Sequence, residues 1–219
     1  MSMFSSCTQL EVSELKKTDL NININELAIL LDKVTKNGLT QIPWSKYNYK
    51  PSVEFTIAYN EYNIFLKYYV SECSIRAVNT SINSSVWEDS CVEFFIKFEE
   101  DNAYYNFEFN CIGTALVGYG ESQTGRLLLP EELISNIVCK SVIVKDHSST
   151  ELHWELTVVI PKSLFCYTKI DTLKGKRCTA NFYKCGDLLP VPHFISWSNI
   201  LAPEPNFHLP EFFGTLYFL

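Results

Sequence analysis

The stretch "SSVWEDSCVEFFIKF", residues 84–98, contains the pattern that decides the fold. From residue 91 onward, apolar side chains occupy every second position, a period typical of a β-strand. The side chains expected to face the core are Val92, Phe94, Ile96 and Phe98. The opposite face carries Cys91, Glu93, Phe95 and Lys97. Glu93 is therefore expected outside the core, on a sheet face that is either solvated or able to hydrogen-bond a hydroxylated ligand.

Short segments with the same period of two recur along the rest of the chain. In "AYYNFEFNC", Tyr105, Phe107 and Phe109 are expected in the core, while Asn106 and Glu108 share the polar face. Other strand candidates are "PSVEFTIAY", "YNIFLKYYV", "IVCKSVIVK", "LHWELTVVI", "RCTANFYKC" and "FGTLYFL". Because short strands alternate with turns and no βαβ rhythm is present, the sequence predicts an all-β protein, an antiparallel β-sandwich.

One segment near the start has a helical period instead. "INELAILLDKVTKNG" places apolar residues on one helical face, with Asn23 or Asn25 as the cap and Asn37-Gly38 as the end. We expect one short N-terminal helix, in an extension of residues 1–42 that packs on the sandwich. Residues 1–219 then form a single domain.

Composition and charge argue against two kinds of partner. The net charge is -7, so the surface repels phosphate backbones and nucleic acid is an unexpected partner. No apolar run is long enough to span a membrane. The sequence predicts a packed domain whose partner is neither nucleic acid nor a membrane.

The eight cysteines point to a reducing environment. None forms a Cys-x-x-Cys pair, so no metal site is expected. "MSMFSSCTQLEVSELKK" has no basic start followed by an apolar stretch, so export is not signalled. We expect free thiols in the cytoplasm, or a periplasmic or secreted protein if a signal has been removed.

Several segments together resemble the family 9 carbohydrate-binding modules and their stand-alone relatives. They are "VWEDSCVEFFIKF", "YYNFEFNCIGTA", "NFYKCGD" and "ISWSNILAPEPNFHLPEFFGTLYF", in order between Pro43 and Leu219. The resemblance implies an immunoglobulin-like β-sandwich in which two aromatic side chains grip a terminal sugar. It also implies an oligosaccharide or polysaccharide end as ligand, a glycoside hydrolase as possible partner and no cofactor.

The same resemblance implies a set of binding residues. Trp87 matches one wall of the slot and Phe207 the other, at a position where hydrolase-attached members have a tryptophan. Glu93 matches a glutamate that hydrogen-bonds sugar hydroxyls. The remaining positions near the implied site are Glu108, Asn181, Tyr183 and His208. Glu108 departs from the family pattern, which has an arginine there, and the calcium sites of some members match no acidic cluster.

Other interpretations of these residues stay open. The alternative for Trp87 is a core tryptophan at a corner of the sandwich, although the resemblance favours the exposed plate. Glycoside hydrolysis needs two carboxylates, which Glu93 with Glu108 or Asp89 would supply. A haem role is disfavoured because the only methionines are Met1 and Met3. The sequence favours a carbohydrate-binding protein with no catalytic residues, with a glycoside hydrolase or a subunit of one as the alternative.

Overall fold

In a computed structural model, which describes residues 8–15, 23–145 and 150–219, the strands form two sheets that share one strand. The strands are β1 (Gln9–Glu14), β2 (Asn37–Gly38), β3 (Ser52–Tyr59), β4 (Asn63–Glu72), β5 (Cys91–Phe98), β6 (Tyr104–Asn110), β7 (Ala115–Gly120), β8 (Leu127–Leu128), β9 (Val138–Lys145), β10 (Leu152–Pro161), β11 (Arg177–Cys185), β12 (Phe194–Ser196) and β13 (Gly214–Phe218). Sheet I has the order β8-β7-β6-β5-β11-β13-β1, and sheet II has the order β1-β3-β4-β10-β9. The short β12 pairs with β11, and β2 pairs with β3.

Strand β1 departs from the expected antiparallel pairing. It runs parallel to β13 in sheet I and parallel to β3 in sheet II, so the sheets are mixed and curl into one another. The sequence prediction missed this strand, although Leu10 and Val12 alternate with polar residues. The extension of residues 1–42 therefore contributes a strand to both sheets.

The predicted helix is present but short. Helix α1 (Ile24–Leu31) begins after Asn23, whose side chain accepts a hydrogen bond from the Asn25 N–H at 2.8 Å. A turn follows Leu31, so the helical period predicted to continue to residue 36 ends early. A second helix that the sequence did not predict, α2 (Glu131–Ile134), is four residues long.

The core between the two sheets follows the predicted pattern. Val92, Phe94, Ile96 and Phe98 of β5 are all fully buried in it. Phe55 of β3 stacks on Phe182 of β11, with ring centroids 3.8 Å apart, and so joins the sheets. The period of two in β5 correctly predicted which side chains enter this core.

The opposite face of β5 is also buried, contrary to the solvated face considered from the sequence. Glu93 is 3% exposed and Phe95 is inaccessible to solvent. A second apolar cluster covers them, made by residues of sheet I, Trp44 and the C-terminal segment 200–213. Glu93 lies outside the main core, as expected, but beneath a layer of chain that has no regular secondary structure over most of its length.

A buried polar bridge connects the two sheets. Lys184 Nζ of β11 lies 2.9 Å from Glu72 Oε2 of β4, and both side chains are inaccessible to solvent. His193 Nε2 lies 2.8 Å from the same ammonium group, and Trp154 donates to Glu72 Oε1 at 2.7 Å. A buried charge pair of this kind needs each partner, because a lone charge in the interior is costly.

Two of the sequence predictions concern membrane spans and disulfide bonds. Within the described ranges, no helix is long and apolar enough to cross a bilayer. The described cysteines are all free thiols, while Cys7 lies outside the described residues.

Candidate functional site

A cavity of about 310 Å³ opens on the outer face of sheet I, between that sheet and the C-terminal segment. This volume is at the lower end of the range for small-molecule sites. Its walls come from the turn before β5, strands β5, β6, β11 and β12, the loops after β7 and β11, and the segment near residue 207. The lining residues are Trp87, Glu93, Glu108, Gln123, Arg126, Cys185, Asp187, Phe194, Pro205, Asn206, Phe207 and His208.

The cavity brings together most of the residues that the sequence singled out. The members that line it are Trp87, Glu93, Glu108, Phe207 and His208. Asn181 and Tyr183, the other two, are fully buried and do not line it. They support the wall that carries Phe207, by contacts described below.

Trp87 is the exposed aromatic side chain of this site. It sits in a 3₁₀ turn, Val86–Glu88, and is 37% exposed. The backbone N–H of Asp187 donates to the Trp87 carbonyl at 3.2 Å, which joins the turn to the chain after β11. The ring is therefore held at the surface by its backbone and is not part of the core.

Asp89 anchors the turn that presents Trp87. This fully buried carboxylate accepts hydrogen bonds from the backbone N–H of Asn79 at 2.9 Å and from Asn110 Nδ2 at 3.0 Å. It also pairs with the Arg76 guanidinium. Because its charge is satisfied by these partners, Asp89 fixes the turn without facing the cavity.

Phe207 is a much less open surface than Trp87. It is 8% exposed, because one face of its ring stacks on Tyr183 with centroids 4.1 Å apart and an interplanar angle of 9°. The Tyr183 hydroxyl donates to the Phe207 carbonyl at 3.1 Å. Tyr183 therefore positions Phe207 from behind, which explains its place near the site.

Asn181 holds the start of the C-terminal segment in a similar way. Its Nδ2 donates to the Ser198 carbonyl at 3.0 Å, and its Oδ1 accepts from the Ser198 N–H at 2.8 Å. This two-way contact connects the chain after β12 to strand β11. Its side-chain groups are used within the protein, outside the cavity.

Two carboxyl groups form the floor of the cavity. Glu93 and Glu108 are direct cross-strand partners on β5 and β6, and each is 3% exposed. Asn106 Nδ2 donates to Glu108 Oε1 at 2.8 Å, while Glu108 Oε2 has no hydrogen-bond partner within the described part of the chain. An acceptor that is buried and unpaired is costly, so this oxygen is available to a donor on a ligand.

Burial makes these acids hold protons near neutral pH. It raises the pKa of Glu108 to about 7. Burial, and then the neighbouring Glu108, raise the pKa of Glu93 well above its usual range. Burial and the charge of Glu88 raise the pKa of Asp187 to about 6. The floor therefore offers both a protonated carboxyl, which donates, and carboxyl oxygens that accept.

His208 is held neutral and in one tautomer. Its Nδ1 lies 2.8 Å from a guanidinium nitrogen of Arg126 and 2.9 Å from the Tyr104 hydroxyl. Because arginine can only donate, Nδ1 accepts and the ring proton is on Nε2. Burial and the Arg126 charge lower the pKa of His208 to about 3. His208 thus contributes one N–H donor with no charge.

Sequence reasoning missed Arg126, Gln123 and Asp187. Arg126 ends the glycine-containing stretch "GYGESQTGR", which has neither strand alternation nor a helical period. The family resemblance implies an arginine at the position of Glu108. A search for a cation on the neighbouring loop would therefore have found Arg126. Arg126 lies between β7 and β8 and lines the cavity.

Two thiols flank Glu93 beneath the cavity. Cys91 and Cys185 are direct cross-strand partners on β5 and β11, and both are buried. Cys185 Sγ lies 3.1 Å from Glu93 Oε1. Burial raises the pKa of Cys91 to about 12 and that of Cys185 well above its usual range, so both are thiols in the free protein.

Solved structures resemble this chain over nearly its full length. A Bacteroides uniformis protein for which carbohydrate binding has been suggested is 40% identical, with a TM-score of 0.90, and the match covers 98% of this chain and 100% of that one. A carbohydrate-binding module of family 9 from Caldicellulosiruptor kristjanssonii, solved with glucose, is 12% identical, with a TM-score of 0.62 and coverage of 97% and 96%.

A structure of a family 9 module from the same organism, solved with cellotriose, is 11% identical, with a TM-score of 0.66 and coverage of 96% and 93%. At such identities the two modules show a shared fold alone. The chain has no significant match among curated protein sequences. The sequence profile of carbohydrate-binding family 9 matches residues 24–218. The chain therefore belongs to carbohydrate-binding family 9.

Proposed function

We propose that this protein binds the terminal sugar of an oligosaccharide or polysaccharide in the cavity beside Trp87, without catalysing a reaction. The observation that carries the proposal is the 37% exposure of Trp87 at the mouth of a cavity whose floor is buried and polar. A sugar ring presents an apolar C–H face and a rim of hydroxyls. An aromatic plate beside fixed polar groups matches both.

Each group then has a role. Trp87 stacks on the apolar face of the ring, and the edge of Phe207 closes the other side. Glu93 and Glu108 accept hydrogen bonds from the sugar hydroxyls. The Oε2 atom of Glu108, which has no partner within the described part of the chain, is the acceptor that most needs a donor. His208 and Arg126 donate. Asn181 and Tyr183, which the sequence placed among the binding residues, act by positioning Phe207 and the C-terminal segment.

The related structures support a sugar as ligand. Family 9 modules from Caldicellulosiruptor kristjanssonii were solved with glucose and with cellotriose. The sugar itself is not carried over, because Glu108 and Arg126 form a different polar set from the family pattern. We expect affinity in the range of roughly micromolar to millimolar, since sugar hydroxyls lose much of their hydrogen-bond gain to desolvation.

The proposal also covers the arrangement of the two sheets, the biological role and the cellular compartment. We infer an immunoglobulin-like arrangement of the two packed sheets and an accessory role beside a glycoside hydrolase in carbohydrate breakdown. The free thiols of the described cysteines support a reducing compartment, the cytoplasm.

One observation favours a second candidate function. The pKa of Glu108, raised to about 7 by burial, suits a general acid, and Glu93 lies directly across the strand pair. A glycoside hydrolase acting through Glu93 and Glu108 would release reducing sugar from aryl glycosides or bound oligosaccharides. We expect no release. Release that disappears in Glu93→Gln would favour the hydrolase.

A glycan array with the purified protein tests the proposed function most broadly. We expect selective retention of glycans that share a terminal sugar, and competition by that free monosaccharide. Retention of internal chain segments without competition by the monosaccharide would contradict end recognition. An array with no retained glycan would contradict sugar binding in the cavity.

A further inference from the structure

We propose that Cys91, Cys185 and Glu93 form a Zn²⁺ site beneath the cavity, with one coordination position open toward it. The two Sγ atoms and a Glu93 carboxylate oxygen all lie within 4.8 Å of one another. Around a tetrahedral zinc ion, bond lengths of about 2.3 Å to sulfur and 2.0 Å to oxygen place such atoms roughly 3.5–3.8 Å apart. Side-chain shifts of about 1 Å would bring the three ligand atoms to these distances.

The strands hold these ligands in place. Cys91 and Glu93 lie two residues apart on the same face of β5, and Cys185 is the direct partner of Cys91 on β11. Both strands are interior members of sheet I, so their spacing is fixed by neighbours on each side. The Cys-x-x-Cys search could not find this set, since its cysteines come from distant parts of the sequence.

The open position follows from what lines the cavity. Glu93 and Cys185 reach the cavity wall, whereas Cys91 lies behind them. In zinc sites that bind a substrate, three protein side chains hold the ion and the fourth position is left to water or another small molecule. Since this inference rests on the three side chains, it does not depend on the proposed sugar binding.

The charge balance is compatible with a divalent cation. Binding converts two thiols and one carboxylic acid to two thiolates and a carboxylate, so Zn²⁺ displaces three protons and leaves a net charge of −1 at the centre. Lys184 and Arg126 supply positive charge nearby: Lys184 acts favourably on the Cys91 thiolate, and Arg126 on the Glu93 carboxylate. The soft sulfur ligands favour zinc over calcium or magnesium.

Titration of the reduced, chelator-treated protein with Cd²⁺, a spectroscopic substitute for Zn²⁺, tests the site. We expect an ultraviolet thiolate-to-metal charge-transfer band that saturates at one equivalent, is displaced by Zn²⁺ and is accompanied by proton release. Cys91→Ser and Cys185→Ser should each lose most of the band. Glu93→Gln should keep the band with at least tenfold weaker affinity.

Cys178→Ser is the matched control. Cys178 is also a buried thiol of β11, but it faces the main core and not the cavity. Its variant should bind Cd²⁺ as the wild type does. Absence of a saturating band in the wild type would overturn the proposal, and so would a full band in Cys185→Ser. If a serine variant does not fold, the alanine variant at the same position takes its place, because exposed thiols such as Cys73 can also bind Cd²⁺.

Discussion

His193 is enclosed in the polar bridge between the sheets and is kept neutral there. Its Nε2 lies 2.8 Å from Lys184 Nζ, which can only donate, so Nε2 accepts. The proton is then on Nδ1, which donates to the Val191 carbonyl at 3.0 Å. Burial, and then the Lys184 charge, lower the pKa of His193 from 6.5 to about 4. Protonation in the folded state would place a second cation against Lys184.

The size of the effect follows from this pKa difference. In the unfolded chain His193 takes up a proton near pH 6.5, whereas in the folded protein it does so only near pH 4. Between these values the unfolded state binds more protons, so the free energy of unfolding falls as pH falls. At about 1.4 kcal/mol per pKa unit, the loss between pH 6.5 and pH 4 is about 3 kcal/mol. Above pH 6.5 this contribution is constant.

Urea denaturation of the wild type and of His193→Gln at pH 7.5, 5.5 and 4 measures the loss. Glutamine can accept from Lys184 but does not titrate, so the variant lacks the His193 contribution while other titrating groups largely cancel. The variant should lose about 3 kcal/mol less than the wild type between pH 7.5 and pH 4. Parallel stability curves would refute the buried neutral histidine, whatever their offset at neutral pH.

Three further variants test how the site is built. Asp89→Asn removes the charge that anchors the turn of Trp87. Sugar affinity should therefore fall at least threefold, and the free energy of unfolding should fall by about 1–3 kcal/mol. Unchanged calorimetric titrations and melts would contradict the anchoring role. Asn181→Ala leaves half-buried backbone groups of Ser198 unpaired, and urea denaturation should show a loss of about 1–3 kcal/mol together with weaker sugar binding. Phe207→Trp should keep or increase sugar affinity in calorimetry, because the larger ring extends into the cavity, and loss of binding with an intact fold would show that this wall is not used.

The alternation of residues could predict the core, since it is a local property of each strand. Val92 and Phe94 enter the core as the period of two requires. The covering of Glu93 could not be predicted in the same way, because the covering segment 200–213 has almost no regular period. Its position depends on long-range contacts such as the stacking of Phe207 on Tyr183.

The site could be predicted only where one residue type carried the signal. Trp87, in a polar turn, was recognised as a candidate plate through the family resemblance, and the cavity does include it. Arg126 and Cys185 reach the cavity, and Cys91 lies beside Cys185, because of strand order and register, which the sequence does not state. Tyr183 was associated with the site correctly in space, but its hydroxyl is used within the protein.

Isothermal titration of Trp87→Ala with the glycan selected on the array tests sugar binding at this cavity most directly. About 90 Å² of the indole is available to a sugar, from 37% of a full area of roughly 250 Å². At about 25 cal/mol per Å², its loss costs about 2 kcal/mol, or roughly 30-fold in affinity. Tyr62→Ala, which removes a ring that is 39% exposed and lies outside the cavity, is the control. Trp87→Ala should bind roughly 30-fold more weakly with a nearly unchanged melting temperature, while Tyr62→Ala should bind as the wild type does. Normal binding by Trp87→Ala, with a much lower melting temperature, would contradict sugar binding at this cavity.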